Sequence, residues 1–142
     1  MAGVTLIGVH TYTEAPPIPD YVSSKNERLF SREEVLKGQA VFQKYALMEY
    51  GSMFGDGANR GPDYSAEALH YTAEFMADYY LKSITTKSED QTFQPYRISE
   101  LVKKEIKSNQ YQASDNTVKL TDAQSFAANE LIAYYMAVFT SS

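Results

Sequence analysis

No cysteine occurs anywhere in the 142 residues. That excludes a disulfide, a thiolate metal site and a cysteine nucleophile, and it removes the thioether bonds that attach a c-type haem. It does not fix a compartment, because a chain without thiols suits an oxidising or a reducing space equally. Histidine is scarce, with only His10 and His70, and tryptophan is missing while tyrosine is abundant. Positive charge is in deficit: 13 Lys and Arg against 18 Asp and Glu leave a formal net charge of −5. A nucleic-acid partner needs a clustered cationic face. Lys103-Lys104 with Lys107 is one turn of a solvated helix face, so no nucleic-acid partner is expected. Long hydrophobic runs are absent as well. Met1–Val9 (MAGVTLIGV) is apolar but falls short of the ~20 residues that cross a bilayer. It lacks the charged start and cleavage site of a signal peptide. Two readings of it stay open: a short buried strand or loop, or the outer end of a transmembrane helix.

What is present fits one domain, long enough for a real core, with no internal repeat or low-complexity tract. His10 and Thr11–Glu14 would mark an exit into water on the second reading of the N-terminus. Ala15-Pro-Pro-Ile-Pro-Asp20 forbids helix and regular strand, and predicts a stiff, extended connector on the domain surface. Ser31 and Glu34 form a capping box opening a first helix. Val35, Gly38, Val41, Phe42, Tyr45 and Ala46 fall on one face of it at helical spacing. Gly38 in mid-helix costs about 1 kcal/mol relative to alanine, which points to close approach of another helix or to inheritance from a haem-binding ancestor with a tight helix crossing there. Ser65 is the expected cap of a second helix, with Glu67 in its first turn. Leu69, Thr72, Ala73, Met76, Tyr79 and Tyr80 form that helix's inward stripe.

Thr85–Phe93 reads as a loop, and Ser99–Ser108 as a shorter helix with Leu101, Val102 and Ile106 inward. Tyr111 and Val118–Leu120 flank Ala113–Asn116 in the pattern of a small surface hairpin. Thr121 and Gln124 form another capping box. They open a last helix with Phe126, Ala127, Ala133, Tyr134, Ala137 and Val138 on one face. Leu131, Ile132, Tyr135 and Phe139 fall elsewhere on it, so its second half is apolar nearly all round. Such a helix is either central to a core or pressed against another protein. Glu130 is expected at the rim.

No catalytic set assembles. There is no Gly-x-Ser-x-Gly, and the paired carboxylates Glu33-Glu34 and Glu89-Asp90 are sequence neighbours that do not face each other on a helix. His70 stands four residues before Glu74, which suits a surface ion pair better than a metal or haem ligand. Met48, Met53, Met76 and Met136 read as packing. The loop after the first helix carries Gly51, Gly55, Gly57 and Gly61. Arg60 stands where a dinucleotide fingerprint needs its third glycine, and a helix precedes instead of a strand. Asp56, Ala58 and Arg60 do not supply an EF-hand's alternating oxygens. Alternation of Asp56, Arg60 and Asp63 suits hydrogen bonding within the loop.

The fragment Gly-Gln-Ala-Val-Phe-Gln-Lys-Tyr at 38–45, followed by Met-Phe-Gly-Asp-Gly-Ala and Gly-Pro-Asp-Tyr, resembles the hydrophilic N-terminal domain of quinol-dependent nitric oxide reductases. The resemblance spans roughly Thr11 to Thr140 and is most specific over Gly38–Ser65. Relatives of that domain are cytochrome c subunits carrying Cys-x-x-Cys-His, and the matching positions here are Leu47, Tyr50 and Gly51. The resemblance therefore implies a mainly α, cytochrome c-like domain of about four helices with a small β-hairpin and no haem c. Leu47, Met48, Tyr50, Met53 and Phe54 would fill the vacated volume. The family motif loop is Gly55, Asp56, Gly57, Ala58, Gly61, Pro62 and Asp63.

The resemblance further implies residues 1–20 as the end of a membrane helix plus connector, and 21–142 as the outward-facing domain. It would sit on the periplasmic or extracytoplasmic side of a bacterial inner membrane. Its partner would be the membrane-embedded catalytic part of the same polypeptide, which holds haem b and non-haem iron and draws electrons from quinol in denitrification. The domain itself would be inactive and cap that part. Two alternatives stay open: a stand-alone periplasmic small-ligand-binding module, or one binding haem non-covalently through His70.

Overall fold

The computed structural model describes residues 16–45, 63–85 and 95–140. Its elements in chain order are β1 (Asp20–Val22), β2 (Arg28–Phe30), α1 (Arg32–Lys44), α2 (Tyr64–Thr85), α3 (Pro95–Ile106), β3 (Tyr111–Gln112), β4 (Thr117–Lys119) and α4 (Asp122–Thr140). The architecture is mainly helical with a small sheet, the class expected from the sequence.

The predicted hairpin is there, with β3 antiparallel to β4, but it is half of a larger sheet. The strand order is β2-β1-β4-β3, with β1 parallel to β4 and antiparallel to β2. The connector is stitched to this sheet. Asp20 N–H donates to the Asn116 carbonyl at 3.0 Å, and Asn116 Nδ2 donates to the Ile18 carbonyl at 3.1 Å. Pro16 and Pro17 are exposed as expected, whereas Pro19 is buried and Asp20 already belongs to β1. Proline before the first ladder residue is compatible with this, since only residues from Asp20 onward need to donate. Asn116 adopts φ 55° in the β3–β4 turn, and Asn26 φ 62° between β1 and β2; asparagine tolerates both. The second turn closes on Ser23, whose Oγ accepts from Lys25 N–H at 3.2 Å and Glu27 N–H at 3.1 Å.

The core lies where α2, α3 and α4 meet: Met76, Ile98, Val102, Ala123 and Ala127, with Ala73, Phe75, Tyr79, Tyr80 and Ile106 packed around it. Ala123 and Ala127, four apart on one face of α4, let its backbone come close to α2. Both predicted capping boxes form. Glu34 N–H donates to Ser31 Oγ at 3.2 Å and Ser31 N–H to Glu34 Oε2 at 2.7 Å. Gln124 N–H donates to Thr121 Oγ1 at 3.2 Å and Thr121 N–H to Gln124 Oε1 at 3.1 Å.

Five expectations are corrected. The cap of α2 is Asp63, not Ser65: Asp63 Oδ1 accepts from the Ser65 and Ala66 amides at 3.0 and 3.3 Å. One carboxylate just ahead of the helix reaches two free donors, so Ser65 enters the first turn. Helix α3 begins at Pro95, where a proline's missing N–H costs nothing. Ile98 is the third inward residue of α3, while Leu101 is 46% exposed. Met136, read as packing, is 62% exposed, in contrast to the fully buried Met76. Most of all, α1 buries nothing. Val35, Val41 and Tyr45 are 40%, 50% and 62% exposed, and a Cβ built on Gly38 meets nothing within 4 Å. The apolar stripe of α1 exists but faces open space among the described residues. Glu130 is exposed, as expected for a rim residue.

Candidate functional site

The open space beside α1 is the main surface feature. Between α1 on one side and α2 with α4 on the other run two adjoining apolar grooves. One of ≈ 750 Å³ is lined by Tyr21 and Phe30 of the sheet, Val35 of α1, Leu69 and Thr72 of α2, and Leu131, Ile132, Tyr135, Met136 and Phe139 of α4. The other, of ≈ 460 Å³, is lined by Gly38, Val41, Phe42, Tyr64, Ala68, Tyr135 and Phe139. Tyr135 and Phe139 line both, so the two form one trough. Among the described residues no Asp, Glu, Lys, Arg or His lines either part.

Sequence and packing together explain the trough. Ala123 and Ala127 turn one face of α4 into the core. The remaining faces of its second half stay apolar and largely open: Ile132, Met136 and Phe139 are 36%, 62% and 61% exposed. Helix α1 is held at its start, where its first amide (Arg32 N–H) donates to Asp20 Oδ1 at 2.7 Å. Further along, Phe42 meets Tyr64 edge to face with ring centroids 6.4 Å apart.

Three polar groups lining the trough are satisfied within their own helices or caps. Thr72 Oγ1 donates to the Ala68 carbonyl at 2.7 Å and Thr140 Oγ1 to the Met136 carbonyl at 2.6 Å, while Gln124 Oε1 serves the α4 capping box. The Tyr135 hydroxyl is not. It is buried without a hydrogen-bond partner, and burial first, then the charge of Glu67, pushes its pKa up.

Two tyrosine–carboxylate clusters brace the helices. Tyr134 Oη lies 3.2 Å from Tyr71 Oη and donates toward Glu67 Oε1 at 3.4 Å. The hydrogen bond with Tyr71, with burial adding to it, pushes the Tyr134 hydroxyl up to about 12. Glu105 accepts from both Tyr80 Oη and Thr121 Oγ1, tying α2 and α3 to the cap of α4. Burial and that carboxylate raise the Tyr80 pKa far above the usual phenol value.

Of the site residues expected from the sequence, Leu47, Tyr50, Gly51, Gly55, Asp56, Gly57, Ala58, Gly61 and Pro62 lie outside the described residues. So do His10, Met48, Met53, Phe54, Arg60 and the loop after α2. Asp63 is described, and it caps α2. His70 forms the expected surface pair: Nε2 stands 3.3 Å from Glu74 Oε1, with both side chains more than half exposed. These donors do not fit a haem iron. The chain has no cysteine for thioether attachment, His70 is engaged in solvent, and Met76 is enclosed in the core. Among the described residues no group of three or more His, Cys, Asp or Glu is placed to hold a metal ion, and no helix is long and apolar enough to cross a membrane. The trough was missed by sequence reasoning. Its legible signals were the apolar second half of α4 and the apolar stripe of α1.

No curated protein matches the chain. The family model for the NorB cytochrome c-like domain of nitric oxide reductase matches residues 19–142, nearly the whole of it. That span takes in every element from β1 to α4, and on it the chain belongs to the family of NorB cytochrome c-like domains of nitric oxide reductase.

Proposed function

We propose that this chain is the outward-facing domain of a quinol-dependent nitric oxide reductase, on the extracytoplasmic side of a bacterial inner membrane. It packs on the membrane-embedded part of the same polypeptide and covers it. On this reading the residues ahead of β1 are the end of a membrane helix and its connector, and β1 to α4 make up the covering domain. The membrane part reduces two NO to N2O and water with two protons and two quinol-derived electrons, at its haem b and non-haem iron. The domain carries no step of that reaction. It has lost the electron-carrier role of a cytochrome c, because quinol delivers electrons within the membrane.

The observation that carries this reading is the exposed apolar second half of α4, since monomeric proteins seldom leave a large contiguous apolar patch uncovered. The test introduces Met136→Glu with Phe139→Glu into the membrane-bound reductase and measures NO consumption with quinol. Loss of assembly or activity is expected, while the purified domain shows no NO turnover of its own. A reductase that assembles and turns over normally with both charges in place would refute the packing role.

A second reading, a small-ligand-binding module, is favoured by the ≈ 750 Å³ apolar groove, a size typical of small-molecule pockets. Saturable binding of an apolar fluorescent dye, blocked by Leu131→Trp, would support it; dye binding that never saturates would count against it.

A further inference from the structure

On the reading of this chain as a domain packed against a membrane-embedded partner, we propose that the trough receives one uncharged apolar helix of that partner. The helix is seated between α1 and α4, comes closest at Gly38, and brings a hydrogen-bond acceptor to the Tyr135 hydroxyl.

Three features select this occupant. First, among the described residues the trough's walls carry no ionisable side chain other than tyrosine, although the chain as a whole bears a net charge of −5. A charged segment laid there would lose water and gain no counter-charge, which is costly, so the complementary surface is neutral and apolar. Second, the trough's described lining is largely apolar, and three of its polar atoms, Thr72 Oγ1, Thr140 Oγ1 and Gln124 Oε1, are engaged within their own helices or caps. An extended segment would bring unpaired amides and carbonyls into an apolar site. A helix pairs its own backbone and avoids that cost. Third, two local features are incomplete in the domain alone. Gly38 removes a side chain from the α1 stripe, yet a Cβ there would meet nothing within 4 Å. The Tyr135 hydroxyl is buried and unpartnered. A helix lying over Gly38 gives the glycine its close approach, and an Asn, Gln, Ser or Thr on it, or a free carbonyl at its end, completes the tyrosine.

The test is photo-crosslinking in the intact membrane-bound reductase. Benzoylphenylalanine is placed at Val41 or Met136 on the trough, and at Tyr96 or Lys104 on exposed α3 as the control face, and the adducts are identified by mass spectrometry. The expected result is adducts from Val41 and Met136 to one uncharged apolar helix of the membrane part, with none from α3. Gly38→Leu should lower the Val41 adduct at least tenfold while leaving the melting temperature of the isolated chain unchanged or raised. Adducts to the membrane part from α3 but not from the trough would overturn this inference and leave the packing reading standing. Trough adducts only to lipid, detergent, a second copy or a charged segment would overturn it as well. Absence of adducts to the membrane part from every position would bring down both. A Val41 adduct unaffected by Gly38→Leu would remove the close approach at that glycine.

Discussion

Gly38→Ala separates a glycine needed by the domain itself from one needed by something outside it. Glycine inside a helix costs about 0.8–1.0 kcal/mol relative to alanine, because more backbone freedom is lost on folding. That cost is recovered on substitution only if the new methyl group has room. Here it has: nothing lies within 4 Å of the added Cβ, and α1 buries no residue. The isolated domain should therefore gain close to the full propensity difference, about 1 kcal/mol. If α1 unfolds together with the rest, this raises the melting temperature by about 2–4 °C, as for domains of this size. If α1 opens on its own, the gain appears as about fivefold slower amide exchange confined to that helix. Thermal denaturation and native-state hydrogen exchange on the same variant cover both cases. A fall in melting temperature, or faster exchange in α1, would refute the reasoning, for it would mean that Gly38 is already packed against this chain.

Met76→Ala should cost about 2–5 kcal/mol, since the side chain is fully enclosed and its loss leaves a cavity between three helices; urea unfolding at constant m-value reads it. Ser31→Ala removes the α1 cap and should cost about 1 kcal/mol. The same cap should weaken in acid. Hydrogen bonds from Ser31 hold the Glu34 pKa below its usual value, so its contribution is present above the unfolded pKa and fades as pH falls through the folded one, visible as α1-specific loss of exchange protection. At the alkaline end, unfolded tyrosines ionise near 10, while Tyr134 is pushed up to about 12 and Tyr80 is raised further. The unfolded chain loses these protons first. Stability is therefore level below about pH 10 and falls as pH rises beyond it, and Tyr80→Phe with Tyr134→Phe should flatten that slope in urea titrations at successive pH values.

Elements set by neighbouring residues were legible in the sequence. Both capping boxes lie within four residues of chain, as does the turn around Ala113–Asn116, and each formed as read. Elements set by distant pairing were not. Strands β1 and β2 are three residues each, too short to show a period of two, and β1 exists because β4, almost a hundred residues later, pairs with it. Asp63 displaced Ser65 as a cap because two caps were plausible and only geometry chooses the carboxylate that reaches both amides. The stripe of α1 was read correctly as one face, while the close approach expected at Gly38 is not met among the described residues. Periodicity tells which residues share a face, not whether anything covers it. As for the family's motif loop, only Asp63 falls among the described residues, and its cap to α2 is local chemistry any helix could use.

That exposed stripe bears on how the domain's stability is divided. The core between α2, α3 and α4 takes in no residue of α1, whose fixed points among the described residues are its N-terminal hydrogen bonds and the edge-to-face ring contact of Phe42. Full burial of a valine, methionine or phenylalanine side chain is worth about 1.5–3 kcal/mol. Val35, Val41, Met136 and Phe139 each remain 40–62% exposed, so each withholds about half of that value until a partner covers it. Four such residues together hold back several kcal/mol, comparable with the 5–15 kcal/mol that keeps a typical domain folded. On the proposed reading, a scaffold that once held covalent haem would lack whatever stability that cofactor supplied by binding the folded state. Burial of the trough against a protein partner can replace it by the same linkage. On this argument the order of α1, and not that of the three-helix core, is what the membrane part of the reductase would strengthen. Hydrogen exchange measured with and without that part should then differ in α1 and the second half of α4, and hardly at all around Met76.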